Sequence, residues 1–267
     1  MIPLGLYPAE AEQVEGEEEK KYAFLPSGLL FAAKIADPRE PGIRAELINA
    51  SDAGHTMSEV AFGVHSGVFK ARLGTASSFQ MDLEGGIFSR FSLGQDKKLN
   101  NIDYRIGLPL TFAFRNWSAK LSYYHSSSHL GDNEIALTRR QPITFSREIL
   151  QALLGYQYKR IRFYGGPGHL FNPIPDVARG LFQLGMDSRD LYDISRDVSL
   201  YFGTQATFRS EWDWNPDFSL IVGVSIYSAN RKRGLDIGLE IYSGKTQRGQ
   251  FFKEDEDYIA LTVEFRP

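Results

Sequence analysis

Between Asn101 and Arg115 the chain reads NIDYRIGLPLTFAFR. Ile102, Tyr104, Ile106, Leu108, Leu110, Phe112 and Phe114 alternate with Asp103, Arg105, Gly107, Pro109, Thr111, Ala113 and Arg115. A period of two sends the first set to one face of an extended strand and the second set to the other. Globular strands run about 5–6 residues, and this alternation persists for more than twice that. A strand that crosses a bilayer at a tilt needs ~9–11 residues or more. Length and alternation together confine the fold to architectures built from long amphipathic strands.

The pattern recurs. Phe79, Met81, Leu83, Ile87, Phe91 and Leu93 alternate with Gln80, Asp82, Glu84, Gly86, Arg90 and Ser92. Val198 to Arg209, Leu235 to Tyr242 and Ile259 to Phe265 repeat it, as do segments near 43–50, 58–72, 117–130, 147–159, 160–166 and 217–228. That gives ten or eleven strands, against one weak helical stretch around Asp176–Leu184. Gly 25, Phe 19 and Tyr 13 suit such a β-rich chain.

A soluble sandwich or barrel would turn the apolar face inward, whereas a transmembrane barrel turns it to lipid and lines its lumen with the polar face. Strand length and the mixed-sign charge of the polar face (Asp103 with Arg105; Asp82 and Glu84 with Arg90) favour the membrane. Gly63, Gly107, Gly203 and Gly238 also fall on that face, where side chains crowd. Trp117, Trp212, Trp214, Tyr123 and Tyr258 near strand ends suggest an aromatic girdle. The expected fold is all-β, a transmembrane antiparallel barrel of about twelve strands, because bacterial barrels have even strand numbers.

Turns at Arg115–Asn116 and near Lys159–Arg160 read as periplasmic, and 94–101, 131–145 and 167–197 as longer extracellular connections. Continuing that alternation leaves one strand missing, with SGLLF near Ser27 or part of 167–197 as candidates. Residues 1–26 read as an acidic periplasmic tail and 27–267 as one barrel domain with a long loop near 167–197 that folds over or into its mouth. A net charge of -3 gives no nucleic-acid footprint, and the absence of cysteine excludes disulfides and thiolate sites. No basic-then-apolar leader opens the sequence, so a bacterial outer-membrane location implies a signal peptide already removed. A monomer among outer-membrane lipids is expected.

FLPSGLLFAAKIADPREP, Phe24 to Pro41, followed by YYHSSSHLGDNE, resembles an uncharacterised bacterial family, DUF1207, whose members resemble outer-membrane barrels. The resemblance implies location and no activity. Within it, Asp37-Pro38-Arg39-Glu40-Pro41 reads as a rigid lead-in to the first strand.

The strand from Trp117 places His125, Ser127 and His129 on the lipid side and Ser126 and Ser128 in the lumen. His125-x-Ser127 is similar to the His-x-Ser arrangement of outer-membrane phospholipase A and the lipid A 3-O-deacylase. Residues i and i+2 share a strand face, so the imidazole can take the serine proton, and Glu148, lipid-facing on the next strand by parity, can orient it. The candidate catalytic set is Ser127, His125 and Glu148. The opposing reading puts these residues in the polar headgroup belt with no chemical role. Here Ser128 follows where those enzymes have asparagine.

Asp132 and Glu134, with His129, offer oxygen and nitrogen ligands to Ca²⁺ if the protein is an enzyme, and otherwise form a turn. No other cofactor is indicated. His65 reads as a packed lumen residue. A structural or interaction barrel is the leading function; a lipid hydrolase and a narrow solute channel are the alternatives, so enzymatic activity stays open.

Overall fold

The computed structural model describes residues 21–50, 56–94 and 98–267. The acidic run at Glu15 and Glu17–Glu19 lies outside the described residues. A short strand, β1 (Tyr22–Phe24), precedes β2 (Ile43–Ala50), β3 (Thr56–Arg72), β4 (Ser77–Ser92), β5 (Lys98–Phe114), β6 (Trp117–Leu130) and β7 (Phe145–Tyr158). Then follow β8 (Ile161–Ile174), β9 (Gly180–Ser195), β10 (Val198–Arg209), β11 (Pro216–Tyr227), β12 (Gly234–Lys245) and β13 (Asp255–Arg266), with one helix, α1 (Asp132–Thr138), between β6 and β7.

Each strand from β2 onward pairs antiparallel with its chain neighbours, and β13 pairs with β2 to close a barrel of twelve strands. Closure removes every edge within the membrane span, which lipid requires because it cannot satisfy free backbone groups. β1 lies outside that count, set against the end of β3 with Tyr22 opposite Ala71. Both described ends of the barrel, at Ile43 and Arg266, fall on one rim, where the hairpin turns are short; the opposite rim carries the longer connections and α1.

The alternation reads the wall correctly. Along β5, Ile106 and Leu108 are 60% and 58% exposed, while Asp103, Arg105 and Thr111 are buried. The missing strand is β9. Its alternation is broken because Asp187 and Ser188 are both buried, where the register with β10 slips. The expectation of a long loop at 167–197 is therefore corrected: apart from residues 175–179, nearly all of it is wall, in β8 and β9. The weak helical stretch at 176–184 forms no helix: it is the β8–β9 connection followed, from Gly180, by the start of β9.

The lumen is polar and paired. Glu84, fully buried, accepts from Arg105 Nη2 at 2.6 Å and Lys120 Nζ at 2.8 Å. Arg90 bridges Glu59 and Glu256, each at 2.8 Å. Buried charges persist only when matched in this way. The girdle expectation needs amendment too: Trp117, Tyr123 and Trp214 are exposed, but Tyr258 is buried inside and Trp212 packs on Phe252 at 6.0 Å.

The plug of the barrel is the segment 25–42, not 167–197. It leaves β1 at Leu25, whose N–H donates to the Val68 carbonyl at 3.0 Å, and turns into the lumen. Phe31 is buried with Leu153 and Tyr164, and Ile35 and Ala36 with Tyr201 and Ile221. Arg162 donates to the carbonyls of Ala32 and Ala33, and Arg39 reaches Glu59 at 2.9 Å and Asp103 at 3.2 Å. The Asp37–Pro41 run does lead into β2, but from within the lumen, as a built part of the plug. SGLLF forms no strand; it is the stretch that carries the chain inward.

At the far rim the β12–β13 connection folds into the mouth. Gly249 N–H donates to Asp103 at 3.1 Å, Gln250 N–H to Ser128 Oγ at 3.1 Å, and Phe252 packs on Phe145 at 5.7 Å. A cavity of about 130 Å³ remains between plug and mouth, lined by Lys34, Arg105, Arg147, Gln183 and Arg209 among others.

Candidate functional site

Two outward rows of side chains cross the wall where β5, β6 and β7 meet. In the first, Ile106, His125 and Glu148 are consecutive register partners; in the second, Tyr104, Ser127 and Ser146. Directly opposed residues hold their Cβ atoms about 4.5–5.5 Å apart, so His125 and Glu148 are direct neighbours on the outer wall, although their charged ends do not come within ion-pair distance. Ser127 lies two residues further along the same face. All three are half-buried among the apolar side chains of the outer wall. No hydrogen bond joins His125 to Ser127 or to Glu148.

Sequence reasoning placed these three residues on one face but not in register, because residues 131–144, including α1, separate the strands. The structure adds Ser146 and Tyr104 on either side of Ser127, and Tyr123 diagonally across from Glu148. It also adds a bulge. Between Ser146 and Glu148 the pairing with β8 slips by one residue, at Asn172, whose φ is 44°. Phe171 and Asn172 are consequently both exposed. Bulges of this kind re-aim side chains beside functional sites. The Pro173 and Pro175 flanking this segment were the only signal of it in the sequence.

His129 points outward and packs edge-on against Tyr104 at 5.7 Å. Asp132 and Glu134 occupy the first turn of α1, where Asp132 is exposed while Glu134 is buried and accepts from Asn100 Nδ2 at 2.8 Å. Among the described residues no three His, Asp or Glu side chains converge to hold a metal. Ca²⁺ takes six to eight oxygens, so this pair does not fit it.

His65 lies in the lumen, 3.7 Å from Glu40 of the plug and 3.6 Å from Asp82 of β4. It is packed, as its setting between Gly63 and Gly67 suggests.

A family model described as Protein of unknown function (DUF1207) matches residues 14–266. The chain belongs to this family. No curated protein shows significant sequence similarity to it. Among solved structures, outer membrane phospholipase A from Escherichia coli is similar with a TM-score of 0.60 at 14% identity, covering 85% of this chain and 92% of that one. The Salmonella typhi outer membrane phospholipase dimer with bound calcium gives 0.59 at 14% identity, covering 85% and 90%. At that identity the likeness is one of fold. The DUF1207 chain is thus a barrel of the outer-membrane type, with a lipid-facing outer wall.

Proposed function

We propose that this barrel is a non-conducting protein of the bacterial outer membrane and that its outer wall hydrolyses lipid esters at Ser127, His125 and Glu148. One observation carries the reading: the register sets Glu148 directly opposite His125, with Ser127 on the same lipid-facing wall. A carboxylate facing hydrocarbon is costly unless it has a partner or a task. The rim that carries both ends of the barrel is taken as periplasmic, which puts the site nearer the outer leaflet. The plug and the folded-in β12–β13 connection argue against a solute channel.

In this reading Ser127 Oγ attacks the ester carbonyl carbon while its proton passes to His125. The C–O bond to the alcohol breaks and His125 returns the proton to the leaving oxygen. Water then attacks the acyl-serine by the same route, releasing a carboxylic acid and restoring the serine. Glu148 holds the ring and balances the imidazolium that forms. The required hydrogen bonds are open in the free protein, and catalytic bonds of this kind commonly tighten only around substrate.

A structural or interaction barrel is the second reading, favoured by the same missing hydrogen bonds and by a lumen occupied by the plug. Purified protein in bilayers of phospholipid and lipopolysaccharide, with and without Ca²⁺, separates the two by mass spectrometry of released acyl chains. Release that disappears in Ser127→Ala supports hydrolysis. No release under any condition leaves the structural reading.

A further inference from the structure

The first outward row does not end at His125. Followed away from Glu148 it runs through Ile106 of β5, Gly85 of β4 and Val64 of β3. The direct register partners of Gly85, Val64 and Ile106, and its strand neighbours Leu83 and Ile87 carry large apolar side chains on the same face, so the missing one leaves a depression. It measures about 570 Å³ and is walled by Phe62, Val64, Ile87, Tyr104 and Ile106, with His125 on its β6 side and Ile43 and Pro267 also in its lining. Three strand spacings of about 4.8 Å make it roughly 14 Å long between His125 and Val64.

We infer that this groove seats one acyl chain of a membrane lipid, with its ester end at His125 and Ser127. The depression is continuous with the apolar belt that meets the bilayer, so hydrocarbon is the medium that fills it. The other direction along the row is obstructed, because Glu148 and the bulged Phe171 stand out from the wall. The groove deepens the hydrolase reading and rests on it for the orientation of the chain. It defines the substrate as a lipid with a long, straight acyl chain whose ester lies level with Ser127.

Gly85 also supplies the means of testing this. A Cβ built there meets nothing closer than the Arg105 carbonyl at 3.4 Å, and the residue does not need a positive φ. Gly85→Leu therefore interrupts the groove midway without breaking the wall.

Native mass spectrometry of the detergent-extracted Ser127→Ala protein, with Gly85 intact, is expected to show one retained lipid. Adding Gly85→Leu removes it, whereas adding Val222→Phe, on the far wall, does not. Retention in Gly85→Leu, or a lipid-free dimer in its place, overturns the groove. If Gly85→Leu fails to fold, photolysis of a diazirine-bearing fatty acid on the wild-type protein decides. Adducts concentrated on Val64, Ile87 and Ile106 support the groove, and an even spread around the belt overturns it. A retained lipid without any cleavage sinks the hydrolase reading alone. Cleavage that Gly85→Leu leaves intact sinks the groove alone.

Discussion

Glu148 of β7 faces His125 of β6 as its direct register partner on the outer wall, with Tyr123 diagonally across the same face. The pair needs neither the lumen nor a loop. It is fixed by two neighbouring strands, the most rigid support a barrel offers, and it faces the lipid side of the wall.

If Glu148 orients the imidazole, Glu148→Gln should slow acyl release by about 10⁴-fold, because an amide in place of the triad acid holds the wrong imidazole tautomer. Glu148→Asp, which keeps the carboxylate, should recover part of that, and Glu148→Ala should not. Wild-type turnover in Glu148→Ala would remove the residue from the site.

The Glu84 carboxylate is shared by Arg105 and Lys120, all three buried. Glu84→Ala strands two cations in the lumen, and breaking a buried pair costs about 3–5 kcal/mol. Denaturant unfolding in detergent measures it. A change under about 1 kcal/mol would mean that water enters the lumen freely.

Gly203 gives the plug its seat: a Cβ there would lie 3.0 Å from Ile35 Cβ and 3.1 Å from the Ala36 nitrogen. Gly203→Leu should loosen residues 31–37 while β10 keeps its ladder. Hydrogen exchange should rise across the plug and hold steady in the strand; equal protection in both variants would place the plug elsewhere.

The intact barrel should be silent in planar bilayers, and deletion of residues 29–40 should open a measurable conductance. Current through the intact protein would revive the channel reading. Replacing Arg105 should then change its ion selectivity.

Leu239, 54% exposed near the middle of β12, belongs to the lipid belt and lies far from the site. Leu239→Arg should destabilise the bilayer-embedded barrel by about 2–4 kcal/mol, the depth-dependent cost of a cation at the midplane. An effect near zero would place this wall in water.

The wall of the barrel was legible because lipid outside and charge inside write themselves into every second residue. Arg105 and Ile106 announce their sides without any partner. β9 stayed hidden where a bulge sets Asp187 and Ser188 side by side and ends the period. The plug stayed hidden for a different reason: FAAKIADPRE has no strand period, and it is buried by the shape of the lumen, with Gly203 and Arg162 waiting for it far along the chain.

The candidate site divides along the same line. The sequence by itself determined that this is a long-stranded, lipid-facing barrel and that His125 and Ser127 share its outer face, since i and i+2 on a strand cannot do otherwise. Only the tertiary structure decided that Glu148 meets His125, that Gly85 opens a groove beside it, and that residues 25–42 fill the lumen. Those are relations between segments separated by loops. Parity fixes which way a side chain points, but pairing register and lumen packing arise only when the strands close.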